Sequence, residues 1–152
     1  MRMRAAIAEA ARDRPLKKGR SGVNSPSIHA ASSVPLACRE TLLHMNQSGL
    51  PIARYLVEIE VPREAAEKST HVDLPPDWDA LPAGLAAAKA GTDWLKSATA
   101  LLLYVPSVIV PMESNVLLHP AHPDMAKVKA IHHGPFRYDG RLLPMRSQPG
   151  KT

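Results

Sequence analysis

Apolar and polar positions alternate most cleanly from Ile52 to Val61, where Tyr55, Val57, Ile59 and Val61 take one parity and Arg54, Leu56, Glu58 and Glu60 the other. A period of two predicts a strand with one buried face, and Pro62 ends it. A different pattern runs through Leu101, Leu102, Leu103 and Val105, an unbroken apolar run of the kind buried on both faces of a sheet. Pro106 and Pro111 have no N–H to give a ladder, so they should stop or bulge this strand at Ser107 and again before Met112. A small hydroxyl is thereby presented where a buried strand opens.

The rest of the pattern is shorter. Ser32 or Ser33 supplies an N-cap, Pro35 suits a first helical turn, and Gly49 with Pro51 closes a helix predicted over Val34 to Asn46. Leu85 to Ala90 reads as helix or strand, with Gly91-Thr92-Asp93 starting a short helix that holds Trp94 and Leu95. Met125 to Ile131 and Phe136 to Tyr138 read as two short strands joined by a turn at His133-Gly134-Pro135. Leu74 to Gly84 is a proline-rich loop, expected to be ordered by Trp78 and Leu81, and Ser21 to Ser33 reads as loop. Met1 to Arg20 reads as an Ala/Arg helix ending before Pro15 or as a loosely held tail, the latter favoured. Helices and strands do not alternate regularly and no repeat is visible, so the expected class is α+β, a single domain with a mixed sheet and flanking helices.

Composition narrows this picture. A chain of 152 residues suits one domain with a real core. Residues 1–20 carry seven Lys/Arg and two acids, and the remainder has twelve of each, so the whole +5 excess sits in a basic arm. Without interleaved aromatics that arm is weak support for nucleic-acid binding, and AAIAEAA is a poor signal-peptide core. Prolines and polar residues cut every apolar run short of the roughly 18 residues a bilayer requires. Cys38 is the only cysteine, which excludes a disulfide framework and makes a reducing, cytoplasmic setting the default. The expected division is a basic, poorly ordered arm over 1–20, a domain over 21–143 and a flexible tail over 144–152.

Candidate chemistry gathers at two places. Glu40 shares a helical face with Leu36 and Leu43, and a carboxylate in an apolar stripe must reach water at an edge or face a polar cavity. Ser107, Glu113 and Asn115 lie where the long strand breaks, the usual neighbourhood of ligands in open sheets, although these residues alone favour a Ser107 that serves only its own loop backbone. The chain has no G-x-G-x-x-G, P-loop or G-x-S-x-G spacing, and its histidines lack the paired cysteines that make a zinc site credible, so no metal is expected.

Several segments in order resemble the RES domain, a family named for an arginine, a glutamate and a serine. They are Asn24-Ser25-Pro26, AASSVPLACRETLLHM (Ala30 to Met45), RYLVEIEVP (Arg54 to Pro62), LPPDWDALPAG (Leu74 to Gly84), VPSVIVPMESNVLLHPAHPD (Val105 to Asp124) and FRYDGRLL (Phe136 to Leu143). The resemblance implies an ADP-ribosyltransferase-like fold and a bacterial toxin that breaks the nicotinamide–ribose bond of NAD, with inorganic phosphate or water as acceptor. NAD is then a substrate, no cofactor is required, and the activity is that of an NAD phosphorylase or NAD glycohydrolase. It places the family glutamate on Glu40 and the serine on Ser107 as catalytic residues, with Asn115 in support and Asn24 in the binding segment. Aligned on Asn24, Gly22 stands at the family arginine and Val23 at its tryptophan, so Arg20 is the expected substitute; His29 stands where the family has tyrosine. The implied partner is a helical antitoxin of the Xre-associated type, through which alone nucleic acid would be met, and a homo-oligomer stays open. The alternative is a degenerate RES domain that binds its antitoxin and turns over little.

Overall fold

The computed structural model describes residues 2–8, 19–21, 25–45, 54–71, 76, 78–79, 85–97 and 99–142. Among the described residues, eight strands form two sheets. The smaller, in order β1 (Arg2–Ala8), β4 (Arg54–Glu60), β8 (Lys129–Phe136), is antiparallel throughout. The larger runs β2 (Gly19–Ser21), β3 (Ser25–Ala31), β7 (Ser114–Leu118), β6 (Leu102–Pro106), β5 (Thr70–His71), and only its β5–β6 pair is parallel. The α+β class with a mixed sheet is as expected, and the arrangement is compatible with an ADP-ribosyltransferase-like fold.

One apolar core joins the two sheets: Ile28 of β3, Ile59 of β4, Leu102 of β6 and Val116 and Leu118 of β7 pack together, with Ala65 and Ala66 of the short helix α2 (Arg63–Glu67). The opposite face of the larger sheet is covered by α3 (Leu85–Ser97), whose Trp94 packs on Leu103 and Leu117. Leu102 and Leu103 therefore bury in opposite directions, which is why the strand carries no polar parity. Helix α1 (Val34–Met45) buries Leu36 and Ala37 against Ala31, beside Leu56 and Val110.

Four expectations are corrected. Residues 2–8 form a strand on the edge of β4 rather than a helix or loose tail; Ala-rich composition favours helix only weakly, and a ladder partner outweighs it. Residues 25–31 are a strand rather than a loop, because Ile28 and Ala30 turn into the inter-sheet core despite the Ser/Pro content. Leu85–Ser97 is one helix running through Gly91, whose helical cost of about 1 kcal/mol is outweighed by burial of Trp94. The two expected terminal strands are a 3-10 helix (Pro123–Lys127) followed by one continuous strand, β8. Its Pro135 is tolerated because β8 is at the edge of its sheet. The register skips His133 between Leu56↔Gly134 and Val57↔His132, and Gly134 takes a φ of 97° at this bulge.

Candidate active site at the meeting of α1 and the β6–β7 hairpin

Helix α1 begins at Ser33, whose Oγ accepts the Leu36 N–H at 3.2 Å and so satisfies one of the orphan donors of the first turn. Two turns further on, Glu40 is half-buried and points at the β6–β7 hairpin. Cys38 packs as a small buried hydrophobe, and burial pushes its thiol up despite the neighbouring Arg39.

The hairpin supplies the partners. Pro106 ends β6 as expected, and the chain turns back through residues 107–113. The turn is closed by Ser107 N–H to Glu113 C=O at 2.9 Å and Glu113 N–H to Val110 C=O at 2.8 Å. Ser107 is wholly buried. Its Oγ accepts the N–H groups of Ile109 and Val110, both at 3.2 Å, and donates its proton to Glu40 Oε1 at 2.9 Å. A hydroxyl has one donor and two acceptor positions, and all three are filled here within the protein. Asn115, the second residue of β7, donates from Nδ2 to the same Glu40 oxygen at 2.6 Å. The structure thus brings Glu40, Ser107 and Asn115 together from positions 67 and 75 residues apart.

The consequence is an asymmetric carboxylate. Oε1 is pinned by two donors, while no hydrogen bond from a described residue reaches Oε2. Such a group holds one oxygen still and offers the other, with its lone pairs, to a hydroxyl or a developing positive charge.

The other expected site residues stand as follows. His29 lies opposite Leu117 in the β3–β7 ladder, two residues before Ala31, which faces Asn115; His29 and Asn115 therefore share one face of the sheet. Its Nε2 is 3.0 Å from Ser27 Oγ. Arg20 stands in β2 opposite Pro26, with its side chain outside the described residues, and Asn24 lies wholly outside them. From the sequence Ser33 is a candidate cap and no more. In the structure Ser33 Oγ also donates to the Glu113 carboxylate, and Ser32 exchanges two bonds with Ser114, backbone N–H to C=O at 2.9 Å and Ser114 N–H to its Oγ at 3.2 Å. The Glu113-x-Asn115 spacing was the one available signal for this.

The histidines of the HPAHP segment are structural. His119 is buried and lies edge-on to Trp94; its Nε2 donates to the Leu95 carbonyl at 2.7 Å and its Nδ1 accepts from Ala121 N–H at 3.1 Å. His122 caps the 3-10 helix by accepting Asp124 N–H at 3.1 Å. Among the described residues no three His, Cys, Asp or Glu side chains are grouped to hold a metal, and no helix is long and apolar enough to cross a membrane.

Two sheets sharing one core, with a helix-borne glutamate held against the broken end of a buried strand, define an α+β domain compatible with the ADP-ribosyltransferase-like class. The family model described as the RES domain matches residues 2–139, and the chain belongs to that family. It is 50% identical over 119 residues to a protein of Sphingobium sp. (strain YBL2) named Prs ADP-ribosylating toxin, covering 76% of this chain and 74% of the relative. It is 36% identical over 117 residues to Toxin Res of Yersinia enterocolitica, covering 76% and 77%. To Toxin Res of Photorhabdus laumondii it is 31% identical over 122 residues, covering 80% and 78%.

Proposed function

We propose that this chain is a toxin that consumes NAD by breaking the bond between nicotinamide and ribose. The observation that carries this reading is the asymmetric Glu40, held through Oε1 by Ser107 and Asn115, with no described residue donating to Oε2. As nicotinamide leaves, positive charge develops at the anomeric carbon and the ring oxygen. A carboxylate preoriented beside the ribose accepts a hydroxyl proton in a hydrogen bond and stabilises that charge without reorganising. Ser107, with its hydroxyl saturated inside the protein, acts by holding Glu40 rather than by touching NAD. Arg20 is the proposed partner of the NAD pyrophosphate, to which a guanidinium fork is suited, with Asn24 in the same segment and His29 on the face of the sheet that carries Asn115.

The released ribosyl carbon has two candidate fates. Transfer to inorganic phosphate or water makes the protein an NAD phosphorylase or glycohydrolase. Transfer to a protein side chain is favoured by the name of the 50% identical relative, a Prs ADP-ribosylating toxin. The relatives named Toxin Res support a place in a toxin–antitoxin pair, with an antitoxin as the physiological partner.

The test is nicotinamide release by the purified chain in water alone, with inorganic phosphate, and with Prs as protein acceptor. Glu40→Gln is expected to lower turnover by roughly two to three orders of magnitude or more. Retention of wild-type turnover by Glu40→Gln would remove Glu40 from the reaction. A folded wild type that releases no nicotinamide under any of the three conditions makes the domain a binding module.

A further inference from the structure

Glu40 is fixed at its own position by Ser107 and Asn115, but the helix that carries it is fixed at a second point, which the family serine and glutamate do not explain. Ser33, the N-cap of α1, donates to the Glu113 carboxylate while still accepting Leu36 N–H. Beside it, Ser32 and Ser114 exchange two bonds. Glu113 in turn closes the hairpin loop at both ends of its own backbone, through Val110 C=O and Ser107 N–H. One residue thus ties the cap of the glutamate's helix to the loop whose first residue holds the glutamate.

Ser33 and Glu40 are seven residues apart, about 10 Å along a helix. Packing of Leu36 and Ala37 on Ala31 and the Ser32–Ser114 bonds hold α1 near the hairpin, and the directional bonds at Glu40 and at the cap fix its angle there. We propose that Glu113 is a positioning residue: its bond to Ser33 sets the angle of α1 against the β6–β7 hairpin and so places Glu40 Oε2. The inference rests on the reading of Glu40 as the acting carboxylate. The bond needs an acceptor oxygen at Glu113 and does not need a charge, so an amide should replace the carboxylate.

The experiment compares Glu113→Ala, Glu113→Gln, Ser33→Ala and the Ser33→Ala/Glu113→Ala pair in the full chain, with NAD turnover expressed per folded molecule. Displacing a reacting group by about an ångström costs up to 100-fold, so Glu113→Ala is expected to lower kcat roughly 10- to 100-fold with KM for NAD changed less than about threefold. Glu113→Gln is expected to restore the rate to within about threefold. The double variant should be no slower than the slower single one, because both remove one bond. On a Glu40→Gln background Glu113→Ala should have no further effect on the residual rate, an outcome that simple loss of folded protein would not give. A second readout needs no activity: the side-chain amide signal of Asn115, bonded to Glu40 Oε1, should move in Glu113→Ala as it does in Glu40→Ala, and stay in Glu113→Gln. An unmoved Asn115 signal in Glu113→Ala overturns the proposal, as does a wild-type kcat in that variant. A wild type that releases no nicotinamide overturns the NAD reading alone, and the Asn115 signal still decides the role of Glu113.

Discussion

Two regions of the molecule are rich in polar contacts, the seam between α1 and the β6–β7 hairpin and the corner from His122 to Lys127, and they are built in opposite ways. At the corner the hydrogen bonds and ion pairs are local: His122 accepts from Asp124, and Asp124 pairs with Lys127 at 2.8 Å, one turn away and partly open to solvent. At the seam every contact to Glu40 or Ser33 from the hairpin spans 67 to 80 residues, and Ser107 is fully buried. Exposed pairs of the first kind are worth little because water screens them and competes for each partner. Buried donors and acceptors of the second kind cost far more to orphan than they gain by pairing. The corner shapes a turn; the seam holds the Glu40 carboxylate in one place.

Substitutions sharpen this contrast. The largest effect after removal of Glu40 itself is expected from Ser107→Ala, which leaves the Ile109 and Val110 amides without their acceptor and Glu40 Oε1 with one donor. A stability loss of about 1–3 kcal/mol in urea titration should accompany it. NAD turnover should fall roughly 10- to 100-fold. A Ser107→Ala protein with unchanged midpoint and unchanged turnover would make the seam no more demanding than the corner.

An intermediate and pH-dependent effect is expected at Tyr138, which lies edge-on to Phe136 and whose phenol burial pushes above its ordinary value of 10.0. The folded state keeps this proton while the unfolded chain releases it. Tyr138 therefore contributes fully below pH 10, and its contribution is lost as the pH rises from there through the folded value. Tyr138→Phe should flatten the alkaline fall of Tm, and a fall of unchanged steepness would assign it to other groups.

The smallest effect belongs to the corner. The hydrogen bond from Lys127 holds the Asp124 carboxyl below its ordinary 3.8, so its contribution is present above that pH and fades as the pH falls through the lowered value. Solvent screening makes that contribution slight: Asp124→Asn should move Tm at pH 7 by no more than about 1–2 °C and leave nicotinamide release unchanged. A larger loss in Asp124→Asn than in Ser107→Ala would invert the comparison.

The elements legible in the sequence were those whose signal is local. Helix α1 begins where Ser33 and Pro35 place it, β4 follows the alternation around Val57 and Ile59, and β6 stops at Pro106. Strands β1 and β3 were missed because Ala- and Ser-rich segments carry no strand signal until a neighbouring ladder and a core face are supplied. The histidine-turn expectation near Gly134 failed for the same reason: an edge strand with a bulge accepts a Gly-Pro pair that would interrupt a central one.

What the sequence determined by itself is the inventory and its local posture: an acid on an apolar helical face, a serine after a proline-broken strand, an asparagine at the start of the next. It also carried the resemblance that the family match bears out. Only the tertiary structure decided that Ser107 and Asn115 meet on one and the same oxygen of Glu40, and that Ser33 serves Glu113 as well as its own helix. The reason is physical. Caps, breaks and alternation depend on neighbours a few residues away, whereas a hydrogen bond across 67 residues exists only once packing of the two sheets and α1 has set the distance and direction between its partners.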